Sequence, residues 1–445
     1  MERSYVIKPL LNEAYPMISH GKGIYLYDTD GKAYIDASSG AVTASIGHGI
    51  SEVIEAMNEQ ANQVSFVYRS QFTSKAVEDL AFELNKLIDA DEDYHTFFVN
   101  SGSEATETAM KIAIQHFQEK GQHQKNKVIS RWTSYHGITL GALSLSGHKK
   151  RRERFVPLLH DYPVAPPPSC YRCPFNESFP GCQLKCADEL NVVIEKMGAE
   201  HIAAFIAEPI IGAAGGAIVP PRGYYERIKE ICEKHEILLI ADEVMTGLGR
   251  TGEALGMDHW KVKPDILALG KGLSAGYTPL AATMCSESVL EPIKNGSNFI
   301  MSGHTFSANP QSAATALAVL YYLKKHGLVQ KSKTNGAYLK RQLKTLFNQF
   351  DFIGDVRGLG MMVGIEFVRN RASKDPFPSP TFLTNKLVKK AQENGLLIYP
   401  ASTARPQGDG DAVIIAPPLI STKEEVDQIV ELLKKTLKEI QAELN

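Results

Sequence analysis

Neither sign of charge dominates this sequence: 48 Lys+Arg stand against 50 Asp+Glu, a formal net charge of -2. That balance supplies no strong field for nucleic acid or an anionic membrane, and it points to a small-molecule partner. Long apolar runs are missing too. The longest, 202–219, is broken by Glu208, Pro209, Gly212, Gly215 and Gly216, so it makes a poor membrane span. Residues 1–16 carry scattered charges and no apolar core of signal-peptide length, and a cytoplasmic protein is expected. No internal repeat or low-complexity tract is visible. Cysteine is scarce. Of the six present, Cys170, Cys173, Cys182 and Cys186 cluster as C-x2-C-x8-C-x3-C, while Cys232 and Cys285 stand apart. That spacing could hold zinc, but its middle gap is shorter than in common zinc modules, and a reducing compartment disfavours disulfides. A compact loop with reduced thiols and no metal is the favoured expectation.

What the sequence does have is an ordinary globular composition, 43% hydrophobic and 22% charged, which argues against disorder. At 445 residues the chain is too long for one ordinary core, so two or three packed lobes are expected. Short apolar runs at 95–99, Ile202–Ala207, 237–241 and Ile266–Leu269 read as strands buried on both faces. Residues 104–119, 222–235 and 310–325 read as helices between or after them. This alternation predicts an α/β fold with a mostly parallel sheet covered by helices, whose ligands sit at the carboxyl ends of the strands. The stretch 163–181, rich in Pro and Cys and without periodicity, is expected to be a long loop or insertion rather than a linker, since sheet-like segments continue beyond it. Beyond about 330 the texture becomes α+β: a helical stretch, 355–367, a helix near 381–394, a strand near 395–399 and an amphipathic helix from Lys423. Strand-like 23–36 is expected to pack with that smaller lobe. The predicted division is a large domain at 61–325 and a small C-terminal domain at 326–445, joined by the N-terminal segment 1–60.

Four features fall just after predicted strands. Asn100-Ser101-Gly102-Ser103-Glu104-Ala105 follows 95–99. Ser103 is the expected N-cap, Glu104 and Glu107 suit a first turn, and Ala105, Ala109, Ile112 and Ala113 form a core-facing stripe. Free backbone N–H groups at such a junction cradle a phosphate, their hydrogen bonds of about 1.5–3 kcal/mol each outweighing the helix dipole. Taken alone, the motif more often marks only a capped helix. Asp242-Glu243-Val244 follows 237–241. A carboxylate leaving a buried strand needs a cation, and a protonated pyridine nitrogen is one; the pairing favours the protonated ring by about 1–3 pKa units. A metal ligand or a helix cap is the competing reading. Gly270-Lys271-Gly272 follows Ile266–Leu269, where partial desolvation lowers an amine's pKa and lets it form an imine. A lone Gly-Lys-Gly is more often a turn with a solvated lysine. Tyr135-His136-Gly137, after a short strand at 127–130, offers an aromatic wall for a flat cofactor, against the plainer reading of a partly buried surface tyrosine.

Together these segments resemble the class III (omega-amino-acid) aminotransferases of the fold-type-I pyridoxal-phosphate enzymes. The resemblance runs from Asp28-Thr29-Asp30-Gly31 and Gly47-His48-Gly49 to Pro417-Pro418-Leu419. Its most specific part is Asp242-Glu243-Val244-Met245-Thr246-Gly247-Leu248-Gly249-Arg250-Thr251-Gly252, followed by Gly270-Lys271-Gly272. It implies pyridoxal 5'-phosphate as cofactor, with Ser101, Gly102 and Ser103 at its phosphate. It also implies Tyr135 stacked on the ring with His136 beside it, Asp242 at the ring nitrogen, Val244 on the face opposite Tyr135, and Lys271 as the imine-forming lysine. Glu208 resembles the family's glutamate at the base of the pocket. Thr305 resembles the threonine that reaches the phosphate of the neighbouring subunit, which implies a homodimer or larger homo-oligomer. The implied reaction is a ping-pong transamination: Lys271 relays a proton, an amine donor is oxidised and a 2-oxo acid is aminated.

One pocket must then accept both an amine lacking an α-carboxylate and a 2-oxo acid. Similar enzymes use a mobile arginine near the C-terminus for the acid, and Arg405 is the candidate, since a planar guanidinium suits a carboxylate bidentately. Tyr15 and Val42, the latter in the Ser39–Val42 segment, are expected to line the pocket. The insertion Tyr171-Arg172-Cys173-Pro174-Phe175 resembles a subgroup that pairs pyruvate with omega-amino acids, taurine-like amines or simple amines. Biotin-pathway diaminopelargonate aminotransferases are similar over the core, and the sequence does not choose. Two other classes compete. The stretch 247–252 matches the nicotinamide-dinucleotide pattern G-x-G-x-x-G, with Asp265 near the expected distance, but that fingerprint must directly follow a strand and open a helix. Here Asp242 to Thr246 intervene, Gly256 and Asp258 make a weak helix start, and Asp265 precedes its strand, so an oxidoreductase is disfavoured. A zinc-dependent interaction module on the four-cysteine loop would coexist with an enzyme.

Overall fold

The computed structural model describes residues 5–378, 383–403 and 410–444. Near the N-terminus, β1 (Ile18–Lys22), β2 (Tyr25–Asp28) and β3 (Ala33–Asp36) pair antiparallel in sequence order. The centre of the molecule is built from β4 (Tyr94–Val99), β5 (Lys127–Arg131), β6 (Val164–Ala165), β7 (Ile202–Ala207), β8 (Leu238–Asp242), β9 (Ile266–Leu269) and β10 (Ala281–Ser286). They form a 7-stranded sheet in the order β4-β10-β9-β8-β7-β5-β6. Every residue of β7 and β9 is buried, as expected of strands covered on both faces.

The pairing fixes where the functional loops emerge. β9, β8, β7 and β5 run parallel, so their carboxyl ends share one edge. β10 is antiparallel to both β9 and β4, and two reversals restore the direction, so β4 also ends at that edge. Glu208 and the Lys271 turn follow β7 and β9, Asp242 ends β8, and the loops at 100–103 and 132–137 follow β4 and β5.

Two expectations need correction here. The run 95–99 is not buried on both faces: His95 is exposed and Thr96 and Phe97 are half-buried, because β4 is an edge strand bonded only to β10. The stretch 163–181 is not all loop, since Val164–Ala165 pairs parallel with β5. β10 itself lay hidden in the sequence. Its residues, AATMCS, are small and partly polar, so no apolar run announces a strand that is nonetheless fully buried.

The helix Gly102–Glu119 lays Ala105, Ala109, Ile112 and Ala113 against the core, all at 2% exposure or less. Helices Tyr224–Lys234 and Pro310–Lys325 lie close to the ranges expected from apolar spacing. Beyond them, β11 (Ile353–Leu359), β12 (Met362–Phe367), β13 (Leu396–Leu397), β14 (Tyr399–Thr403) and β15 (Gly410–Ile415) follow helix Leu328–Phe347. Four of these form an antiparallel sheet in the order β11-β12-β15-β14. β13 instead pairs parallel with β3, tying the N-terminal strands to the C-terminal region. Helix Lys423–Leu444 closes the chain with buried Val426, Ile429, Val430, Leu433, Leu437 and Ile440 at helical spacing.

A buried charge network holds the insertion in place. Glu366 on β12 is 1% exposed and pairs with Arg172 of the insertion and with Arg357 of β11, the latter at 2.7 Å. Arg357 also donates to the carbonyls of Gly215 (Nη2, 2.6 Å) and Gly216 (Nε, 2.9 Å), reaching the loop that follows β7. Cys170, Cys173, Cys182 and Cys186 are free thiols lining one small pocket with Phe175 and Phe179. Burial pushes the Cys186 thiol up to about 12. Among the described residues no group of three or more His, Cys, Asp or Glu is placed to hold a metal, and no helix is long and apolar enough to cross a membrane.

Candidate active site

Five strand ends bring their residues together. Asp242, the last residue of β8, is 4% exposed. Its Oδ2 accepts a hydrogen bond from His136 Nδ1 at 2.8 Å, and its Oδ1 accepts from the Val244 amide at 3.1 Å. An ionised carboxylate only accepts, so the contact places a proton on Nδ1 and turns Nε2 away from Asp242. That buried Nε2 has no hydrogen-bond partner. Glu208, just past β7, is saturated differently: Oε1 accepts from the Tyr135 amide and Oε2 from the Gly212 amide, both at 2.9 Å. Burial raises its pKa, against the nearby His136.

Lys271 follows β9 with φ 42, a left-handed conformation costly for a side-chain-bearing residue and commonest at functional sites. Burial lowers its pKa to about 8, while the Asp242 and Glu208 carboxylates oppose that shift. A base of this strength is partly unprotonated near neutral pH.

Above the sheet edge, Gly102 and Ser103 open the helix after β4, where amides lack intrahelical acceptors. Here the expected cap moves. Ser101, not Ser103, is the N-cap, accepting from the Glu104 amide at 3.2 Å with extended backbone angles. Ser103 is already helical, and its Oγ instead accepts from the Ile138 amide at 3.0 Å, tying the β4 and β5 loops together. Val244 stands against the glycines: a β-carbon on Gly102 would come within 2.9 Å of Val244 Cγ1, and one on Gly270 within 3.3 Å. Only glycine allows so close an approach at 102. Tyr135 is half-buried and packs on Ile211, Ala214 and Ile218.

Other expected residues stand apart. Val42 is 2% exposed, in the Ser39–Val42 segment that packs against the Lys271–Leu273 turn and β14. Tyr15 is 43% exposed on the N-terminal arm, where its hydroxyl accepts from the Leu10 amide. Thr305 lies on an exposed loop, its neighbour His304 3.8 Å from Glu104, and does not join the cluster. Arg405 lies outside the described residues. The dinucleotide-like stretch 247–252 is all turn, packed on Val329 and Lys333, and leads to the short 3-10 segment Gly256–Trp260 rather than a long helix. One residue near the site went unnoticed in the sequence. Arg151 holds its guanidinium carbon 4.4 Å over the Tyr135 ring; within the run Lys149–Arg152 nothing distinguishes it from a solvated charge.

Residues 11–437 match the family profile described as aminotransferase class-III. The chain belongs to the class III aminotransferases. As one of them it is a transaminase that depends on pyridoxal phosphate and uses an amine donor and a keto-acid acceptor. This class III aminotransferase is 52% identical over 441 residues, 99% of each chain, to the uncharacterized aminotransferase YodT of Bacillus subtilis (strain 168). It is 34% identical, over 95% of this chain and 91% of the other, to adenosylmethionine-8-amino-7-oxononanoate aminotransferase of Geobacter sulfurreducens. In structure it resembles the omega transaminase from Pseudomonas jessenii in complex with PMP: TM-score 0.90, 35% identity, covering 96% of this chain and 93% of that one.

The class III site fits its cofactor on observations of its own. A lysine of lowered proton affinity and a buried carboxylate emerge from adjacent strands. Open helix-end amides adjoin a glycine with no room for a β-carbon, and a buried imidazole nitrogen lacks a partner.

Proposed function

We propose that the chain moves the amino group of an omega-amino acid or simple amine to a 2-oxo acid such as pyruvate. The placement of the Lys271 amine beside Asp242, on adjacent strand ends, carries the reading. When bound, pyridoxal phosphate supplies an aldehyde that exchanges amines and a protonated ring that takes up the electron pair of a broken C–H bond. The chain's own residues do the rest. Lys271 Nζ holds the cofactor, then takes a proton from the donor carbon and returns it, as its lowered pKa permits. Asp242, its carboxylate oriented by His136 Nδ1, would supply the counter-charge to the ring nitrogen. The amides of Gly102 and Ser103, with Ser101 capping the turn, receive the phosphate. Tyr135, anchored through Glu208, and Val244 form the two walls.

The same reading makes Arg405 the clamp for the acceptor's carboxylate and 61–325 the cofactor-binding body, with 1–60 and 326–445 forming a smaller one. It also makes the active unit a cytoplasmic homodimer. The exposed side chains Phe66, Phe72, Phe299, Met301 and Phe306 supply an apolar patch beside Thr305, with Phe66 and Phe306 in edge contact. A second copy covers that patch and receives Thr305 at its own phosphate site. The similarity to a biotin-pathway relative supports a second reading, amination of 8-amino-7-oxononanoate.

A donor panel with pyruvate, read as alanine formed, separates the two. Alanine from β-alanine, 4-aminobutyrate, taurine or n-butylamine is expected. No alanine from any donor, with adenosylmethionine-dependent amination of 8-amino-7-oxononanoate, overturns the first reading in favour of the second.

A further inference from the structure

Arg250, the other arginine acting on Lys271, donates to the Met361 and Pro417 carbonyls, whereas Arg151 has no ion pair with a described carboxylate. Its neighbour Arg152 is spent on structure, donating from Nη1 to the carbonyls of Leu143 (3.1 Å), Ser144 (2.8 Å) and Ser146 (2.7 Å). That clamp pins Lys149–Arg152 to the end of helix Leu140–Leu145 and leaves Arg151 half-buried over the Tyr135 ring at 4.4 Å. A guanidinium stacked on an aromatic face keeps its in-plane N–H groups available. Arg151 hydrogen-bonds the Tyr399 hydroxyl on β14, and its charge acts on the Lys271 amine. The two carboxylates nearest Lys271 have donors of their own: Asp242 takes His136 and Val244, and Glu208 takes Tyr135 and Gly212. Among the described residues Arg151 makes no ion pair, whereas half-buried Arg357 pairs with Asp355 and Glu366.

We propose that Arg151, held over Tyr135, anchors the distal anionic group, carboxylate or sulfonate, of the amino donor. The proposal rests on the transaminase reading and names the donor class it left open. A donor with its anion remote from the amine docks on Arg151, and the acceptor's carboxylate is left to a different cation. The guanidinium fork matches two oxygens of either anion, and the Tyr399 hydroxyl adds a further donor.

Two measurements on the cofactor-loaded protein test it. The first is calorimetric titration with butyrate and with propane-1-sulfonate, which lack an amine and cannot react. Arg151→Gln is expected to weaken their binding about tenfold to a hundredfold, and Arg151→Lys to recover part of the loss. The second is the ratio of kcat/KM for 4-aminobutyrate to that for n-butylamine, expected to fall at least about tenfold in Arg151→Gln. Unchanged anion affinity, or an unchanged ratio with both donors slowed alike, overturns the proposal and leaves Arg151 as packing for Tyr135. A wild-type chain that binds these anions through Arg151 yet transfers no amino group refutes the transaminase substrate reading instead.

Discussion

Lys271 sits where a cation is costly. Burial lowers its pKa from 10.5 to about 8, so at pH 7 the fold must hold a proton it disfavours. The sign follows: the unfolded chain binds that proton more tightly, and stability contributed by the neutral amine is lost as pH falls from about 10 to about 8. Lys271→Met is therefore expected to raise the melting temperature of the cofactor-free protein at pH 7, by up to about 3 kcal/mol of stability, while abolishing turnover. A melting temperature that drops, or turnover that persists, contradicts this placement. For the same reason, reconstitution with pyridoxal phosphate should accelerate through pH 8 and level off above it, followed by absorbance. Asp242→Asn removes the counter-charge and is expected to lower kcat by roughly ten- to a thousandfold with the fold intact by circular dichroism. Lys271 and Asp242 were legible in the sequence because each directly follows an apolar run. The His136–Asp242 contact was not, since 106 positions separate its ends and only the sheet brings them together. Arg151 was hidden by its basic neighbours.

At the scale of elements, the junction of β4 with the helix Gly102–Glu119 is the tightest part of the site. Gly102→Ala drives a methyl against Val244 and is expected to weaken cofactor retention, at a cost of about 1–3 kcal/mol. Val244→Ala in the same chain should recover part of the loss, and a double-mutant cycle on the cofactor dissociation constant measures the coupling. Removing Glu366 acts elsewhere. It leaves Arg172 without its carboxylate and half-buried Arg357 with Asp355 alone, so Glu366→Ala is expected to cost about 1–3 kcal/mol in urea unfolding. Long apolar runs such as Ile202–Ala207 were readable because a strand covered on both faces carries no polar alternation. β10 escaped, since small residues bury without looking apolar, and it is the strand whose two antiparallel pairings carry β4 to the functional edge. The cap at Ser101 rather than Ser103 is a two-residue shift of the kind that sequence patterns leave open.

For the whole molecule, loops 65–72 and 299–306 lie together, with Arg69 donating to the Ser302 carbonyl and Phe66 in edge contact with Phe306, and they expose Phe66, Phe72, Phe299 and Phe306. A second copy on that face should give twice the chain mass in light scattering, and Phe306→Asp should shift the population toward monomer and weaken cofactor retention. Terminal strands that pair across the chain, β3 with β13, set the C-terminal sheet close to the Lys271 turn, as the packing of Ser39–Val42 on that turn and on β14 shows. That long-range pairing had only a turn-rich texture to announce it. The arrangement as a whole converges on one nitrogen, and borohydride reduction of the cofactor-loaded chain followed by peptide mapping interrogates it directly. A single pyridoxyl adduct on Nζ of Lys271 is the predicted result; an adduct confined to another lysine, or none at all, contradicts the account.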